Sequence, residues 1–176
     1  MEKPMSGVGF RLMSLMFKIR DLIQPRADVL NEAEIKPGFT VLDFGCGPGG
    51  YLVPLVELVG PSGKIYALDM HPLAIHEIKE MANSNRYNNI ATIQSDCRTG
   101  LQNKSVDTIL LYDVFHDLDR PNEVLEELHR VLKADGTLSF SDHHMKEEQV
   151  FKQMTGSGIF KLARRGRKTY TFAKAD

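Results

Sequence analysis

The chain has 176 residues, of which 42% are hydrophobic and 26% charged, with a net charge of −1. That length and balance suit a single globular domain with a buried core. The near-neutral charge argues against nucleic acid as a partner. Its two cysteines, Cys46 and Cys97, have neither CxxC spacing nor a histidine at zinc-ligand distance in sequence, so no metal site is expected. A reducing cytoplasm is the expected compartment. No run approaches the ~18 apolar residues of a transmembrane helix. The N-terminal apolar stretch is broken by Arg11, Lys18, Arg20 and Asp21, so no secretory leader is expected.

Residues 8–24 place Leu12, Leu15, Met16, Ile19 and Ile23 at helical spacing. Pro25 interrupts this helix, a second short one is expected from Arg26 to Ala33, and Pro37-Gly38 marks a turn. Residues 1–36 therefore read as an N-terminal helical segment, and residues 37–176 as one ligand-binding domain. Met5, Met13 and Met16 lie beside Phe10 and Phe17, an adaptable lining that suits a mobile lid. Simple packing on the core is the plainer reading. Contact with a membrane surface through Arg11, Lys18 and Arg20 is a third.

Thr40 to Phe44 is a short β-branched run that reads as a buried strand and ends in the glycine cluster 45–50. A helix is expected from Tyr51 to Val59, stopped by Gly60-Pro61. Lys64 to Leu68 is a second strand, ending at Asp69. Pro72 opens a helix to about Asn83. Ala91 to Gln94 and Thr108 to Tyr112 are the third and fourth strands, with Asp96 at the end of the third. Arg120-Pro121 opens another helix, whose buried stripe is Val124, Leu125, Leu128, Val131 and Leu132 and which Gly136 closes. Thr137 to Ser141 is the fifth strand, and Glu147 to Met154 the last helix.

Strands and helices alternate, and the strands are continuous apolar runs, as in parallel sheets covered on both faces. The tail departs from this rhythm. Ile159 to Ala163 and Thr169 to Ala173 leave room only for a tight turn, so these two strands must run antiparallel. The basic cluster from Lys161 to Lys168 is then a solvated hairpin tip or, alternatively, a patch for an anionic substrate.

The candidate site starts at Asp43-Phe44-Gly45-Cys46-Gly47-Pro48-Gly49-Gly50, where a strand meets a helix. Glycines there allow unusual φ angles and close approach of a ligand to the backbone. Asp69 ends the next strand, twenty residues after Gly49, where a carboxylate can accept two ribose hydroxyls. Asp96 and Cys97 suit an adenine, through a side-chain acceptor for its amino group and a backbone N–H for its ring. Two adenosine ligands fit, a dinucleotide and S-adenosyl-L-methionine. Three features favour the second. The glycines are spaced G-x-G-x-G, Asp43 would repel a pyrophosphate but suits a cationic ligand, and the terminal hairpin does not fit a six-stranded dinucleotide fold.

VLDFGCGPGG, the YALDMHP stretch, SDC, the LLYDVFHDL stretch and LHRVLKADGTLSFSDHH together resemble the successive motifs of the class I S-adenosylmethionine-dependent methyltransferases, over roughly residues 38–144. The likeness extends to the branch of small-molecule enzymes that includes those of ubiquinone and menaquinone biosynthesis. The resemblance implies an α/β, Rossmann-like three-layer sandwich. Its seven-stranded, mostly parallel sheet would have order 3-2-1-4-5-7-6, with an antiparallel C-terminal hairpin. It implies S-adenosyl-L-methionine as cofactor, S-adenosyl-L-homocysteine as product and a small-molecule methyl acceptor. It places Gly45, Gly47 and Gly49 near the methionine part, Asp69 and Met70 at ribose and adenine, and Asp96 and Cys97 at adenine, with Asp43 and Cys46 of the same turn counted among the cofactor-binding candidates. Tyr112 and Asp113 would flank the methionine moiety and the acceptor entrance.

The methyl leaving group is already activated, so alignment and water exclusion are the main requirements, and a base depends on the acceptor. His116 is the candidate catalytic residue, against a loop residue beside the cofactor. His143 and His144 follow the fifth strand on the same rim. With Asp142 and His116 they could form a metal set, but adjacent histidines usually point apart. Cys46 inside a glycine turn reads as a small packing residue. A short segment after the fifth strand leaves the site open or completed by a second subunit, as in a homodimer. A cofactor-binding protein without catalysis and a nicotinamide-dependent oxidoreductase are the competing functions.

Overall fold

A computed structural model describes residues 27–175. The helix expected within residues 8–24, with its lid, packing and membrane readings, lies outside the described residues. In chain order the elements are α1 (Ala27–Asn31), β1 (Thr40–Phe44), α2 (Leu52–Val59), β2 (Lys64–Asp69), α3 (Pro72–Asn85), β3 (Ile90–Gln94), β4 (Val106–Tyr112), a 3-10 turn (Phe115–Asp117), α4 (Pro121–Val131), β5 (Leu132–Ser141), α5 (Glu147–Thr155), β6 (Phe160–Arg165) and β7 (Tyr170–Lys174). They build one seven-stranded sheet of order β3-β2-β1-β4-β5-β7-β6. The pairs β1–β2, β1–β4, β2–β3 and β4–β5 are parallel. β7 runs antiparallel to both β5 and β6, and the short β6–β7 connection requires the second of these. No described helix is long and apolar enough to cross a membrane.

The apolar strand runs have a direct packing cause. Successive side chains of a strand point to opposite faces. Leu42, Phe44, Ile109 and Leu111 enter one core with Val124, Leu125, Leu128, Val150 and Met154. Val41, Leu110 and Tyr112 enter the other with Leu30, Leu52, Leu55 and Ile78. Both faces are therefore buried, and alternation would serve no purpose. α4 carries its apolar residues at helical spacing, so Val124, Leu125, Leu128 and Val131 all face the first core.

Gly136 does not close α4. The helix ends at Val131, and the chain turns extended at Leu132 (φ −66°, ψ 137°). Residues 132–137 stand opposite only 106–108 of β4, so 133–136 form an excursion within β5, with regular pairing from Thr137. The Lys133 Nζ donates to Asp107 Oδ1 at 2.6 Å, which fixes this excursion. A Cβ at Gly136 would stand 2.8 Å from the Asp107 carbonyl oxygen, so the glycine serves close backbone approach rather than helix termination.

The basic hairpin is occupied by acidic neighbours. The Glu32 carboxylate, just after α1, accepts backbone N–H groups of Arg167, Lys168 and Thr169 and the Thr169 hydroxyl. Lys168 pairs with Asp28, Arg164 with Glu34, and Arg165 with Glu147. Burial pushes the Glu32 carboxyl up, but these hydrogen bonds outweigh it and hold it below the ordinary range. The cluster thus clamps α1 to the β6–β7 turn.

Candidate active site

The carboxyl ends of β1, β2, β3 and β4 converge on one edge of the sheet, where open α/β sheets bind ligands. The glycine turn after β1 is stitched to β2: the Gly45 and Cys46 N–H groups both donate to the Leu68 carbonyl, at 2.8 and 2.9 Å. Gly45, Gly47 and Gly49 have φ of 75°, 51° and 81°, the left-handed region that glycine enters without strain. A Cβ at Gly45 would collide with Val114, whereas one at Gly47 would meet none of the described residues within 4 Å. The turn is therefore packed hard against the loop after β4 at one glycine and open at another.

Asp69, the last residue of β2, joins the two halves of the site. Its Oδ2 accepts the Gly47 N–H and its Oδ1 the His71 N–H, both at 2.8 Å. Each carboxylate oxygen keeps a further lone pair. Burial pushes the Asp69 carboxyl above its ordinary value, and the N–H groups of His71 and Gly47 partly oppose this.

Met70, Asp96 and Cys97 line one slot with Asp117, Leu118, Asp119, Arg120 and Val124. Met70 is 38% exposed, an apolar surface beside the slot. Arg120 lies across the mouth, donating to Asp96 Oδ2 at 3.1 Å and Glu123 at 2.9 Å. The Cys97 N–H already donates to Ser95 Oγ at 3.2 Å, so it is not a vacant donor for an adenine. Sequence reasoning missed Asp117, Leu118 and Arg120. The short linker between β4 and α4, which has to lie over the ends of β1 to β3, was their only signal.

The loop after β3 is braced by α4. Glu127 accepts the N–H and hydroxyl of Thr99, at 2.8 and 2.6 Å, and is paired with Arg130. The Arg130 hydrogen bond leads in holding this carboxyl at about 2 against an ordinary 4.5. A depressed carboxylate pKa stabilises the fold above the unfolded value and loses that contribution as pH falls toward the folded one. Glu127→Gln should therefore cost about 1 kcal/mol at neutral pH, after screening, and should flatten the acid limb of urea-denaturation stability.

The remaining expected residues divide in two. Asp43, Cys46 and Tyr112 are buried. The Tyr112 hydroxyl is 2.7 Å from Ser139 Oγ and its ring 5.1 Å from that of Tyr51. Burial pushes it well above the usual range, so it packs beneath the glycine turn and keeps its proton. Burial, then the carboxylates of Asp43 and Asp69, push the Cys46 thiol up, which makes it a packing residue. Asp113, by contrast, lies on the rim in a left-handed conformation (φ 52°). Its Oδ1 accepts the His143 N–H at 3.2 Å and contacts His143 Nδ1 at 2.6 Å. His143 and His144 do not point apart: their ring centroids are 3.9 Å from each other, and the His144 ring is 4.3 Å from that of His116. Among the described residues, no group of three or more His, Cys, Asp or Glu side chains is placed to hold a metal ion.

A sequence model of the family described as a methyltransferase domain matches residues 35–171. The chain belongs to the methyltransferase-domain family. It is 26% identical over 125 residues to a demethylmenaquinone methyltransferase of Geobacillus stearothermophilus, covering 70% of this chain and 53% of that protein. It is 29% identical over 120 residues to a 2-phytyl-1,4-naphtoquinone methyltransferase of a Nostoc species, covering 66% of this chain and 52% of that one. The chain thus spans about half the length of the curated methyltransferases it matches. The crystal structure of a SAM dependent methyltransferase from Aquifex aeolicus superposes with a TM-score of 0.74 at 28% identity, over 88% of this chain and 95% of that one.

Proposed function

We propose that the protein transfers a methyl group from S-adenosyl-L-methionine to a small-molecule acceptor carrying a quinol-like ring, releasing S-adenosyl-L-homocysteine. The observation that carries this reading is the Asp69 carboxylate, held by Gly47 and His71 with a lone pair on each oxygen to spare. That arrangement suits the two hydroxyls of a ribose. The surroundings fit the rest of the cofactor. Gly47 is open on its outer side, and the slot beside Met70 combines apolar Leu118 and Val124 with the Asp96 acceptor. Buried Asp43 supplies negative charge beneath the glycine turn, where a cationic sulfonium and ammonium are favoured. In this reading residues 37–176 are the cofactor domain, and residues 1–36 its N-terminal segment.

When bound, the cofactor supplies a methyl group already activated on a sulfonium. The chain's part is to fix geometry: the glycine turn and Asp69 hold one reactant, and the rim of Asp113, His116 and His143 faces the other. The ring acceptor is supported by the names of the quinone methyltransferases the chain resembles.

The test is incubation with S-adenosyl-L-methionine and reduced 1,4-naphthoquinol, read by mass spectrometry. Methylated ring and S-adenosyl-L-homocysteine in equal amounts are expected. A protein that binds the cofactor but methylates neither this quinol nor any related ring would remove the ring acceptor, and failure with every acceptor tried would support a cofactor-binding partner or sensor.

A further inference from the structure

We infer that His116 is the base that receives the acceptor's proton, and that Asp142 is the positioning residue that holds it in the required tautomer. This rests on the methyl-transfer reading above. The 3-10 turn Phe115–Asp117 is anchored by Phe115, which is buried edge-on against Phe140 with ring centroids 5.6 Å apart. His116 therefore has a fixed backbone but stands at the rim, with 24% of its side-chain surface exposed. Asp142 follows β5, and its side chain is 0% exposed. Its Oδ2 accepts the His116 backbone N–H at 3.1 Å and lies 2.9 Å from His116 Nδ1, while its Oδ1 accepts the His144 N–H at 3.1 Å.

A carboxylate can only accept, so the proton of the neutral imidazole sits on Nδ1 and the lone pair on Nε2. The two backbone N–H groups alone would suffice to join the loops after β4 and β5. The bond to the ring contributes something different: an orientation and a tautomer. The place is also right. Val114, on one side of His116, occupies the space next to Gly45, and Asp117 and Leu118, on the other side, line the slot beside Met70.

Among the described residues, three groups facing the imidazole are recorded. They are Asp142 on Nδ1, the ring of His144 at 4.3 Å, and Asp117, whose Oδ2 is 3.4 Å from Nε2. The Asp117 side chain is 77% exposed, and its carboxylate, which can only accept, leaves the Nε2 lone pair unoccupied. An acceptor hydroxyl can take its place. In the step, the hydroxyl proton passes to Nε2, and the electron pair so uncovered forms the new bond to the methyl carbon. The carbon–sulfur pair stays on sulfur, and the imidazolium, stabilised by Asp142, returns its proton to water. If the pair attacks through a conjugated ring carbon, that carbon later loses its hydrogen and the hydroxyl is restored.

The test uses the full chain, S-adenosyl-L-methionine and reduced 1,4-naphthoquinol, together with nitrogen-15 NMR of the histidines in the cofactor-free protein. His116→Gln should lower kcat about 100-fold, within the usual range for a positioned base, with the KM for the cofactor unchanged. The wild-type spectrum should show His116 protonated on Nδ1, and Asp142→Asn should lose that preference while lowering kcat less. Wild-type methylation with His116→Gln within threefold of it, or a His116 protonated on Nε2, overturns the base and leaves the methyl-transfer reading standing. Absence of wild-type methylation overturns both.

Discussion

Asp69→Ala is expected to weaken S-adenosyl-L-homocysteine binding by about 100-fold. Two hydrogen bonds from ribose hydroxyls to one ionised carboxylate are together worth about 3 kcal/mol, and each 1.4 kcal/mol is tenfold in affinity. The variant also leaves the N–H groups of Gly47 and His71 without their acceptor, so the glycine turn loses one of its ties to β2 and keeps those to the Leu68 carbonyl. The same carboxylate sets a pH dependence. Burial raises its pKa, and protonation removes an acceptor from the ribose. Affinity should be full above the raised pKa and fall as pH drops through it, at pH values above the ordinary aspartate range. Calorimetry across a pH series checks this, and the acid loss should be missing in Asp69→Ala. A variant that binds as tightly as wild type would remove Asp69 from the site.

Gly45→Ala should cost about 2–5 kcal/mol of stability and abolish cofactor binding. The added Cβ would stand 2.5 Å from Val114 Cγ2 and 2.8 Å from Val114 Cβ. Overpacking of that kind costs about 1–3 kcal/mol. The φ of 75° adds about 1–2 kcal/mol for a residue with a side chain. The collision cannot be relieved locally, because Val114 leads into the turn held by Phe115 and Asp142. Urea denaturation of Gly45→Ala, Val114→Gly and the double variant separates the two costs. The double variant should recover the collision but not the φ strain, so the two changes should be strongly non-additive. Additive losses would mean that Val114 does not press on the glycine turn.

These residues also show what a sequence reveals and what it hides. The glycine turn and Asp69 were legible because each is a local feature: a residue type at the end of an apolar run. The strands were legible as uniform runs because Val41 and Leu42, or Leu110 and Leu111, enter different cores. The reversed tail followed from chain length alone, since no crossover fits between β6 and β7.

At 133–136 the sequence points to a helix end, because glycine after a helical stripe is the ordinary stop signal, and the structure has an excursion within β5 instead. Only the Asp107 backbone, packed against Gly136, gives that glycine its other purpose. The rim after β4 and β5 already brings Asp142 and His116 together, but the hydrogen bond between them has no local signature. Its partners are 26 residues apart and meet only because β4 and β5 are parallel neighbours. Glu32 and the hairpin, more than 130 residues apart, carry no local signature. Periodicity finds faces and ends of elements, and contacts between two ends depend on the sheet order.

The measurement that bears most directly on the function is calorimetric titration of the protein with S-adenosyl-L-homocysteine, with NAD as control. Dissociation on the order of micromolar for the first and none for NAD is the predicted result. No binding of S-adenosyl-L-homocysteine, or tighter binding of NAD, would contradict the assignment of Gly47, Asp69 and the Met70 slot to this cofactor.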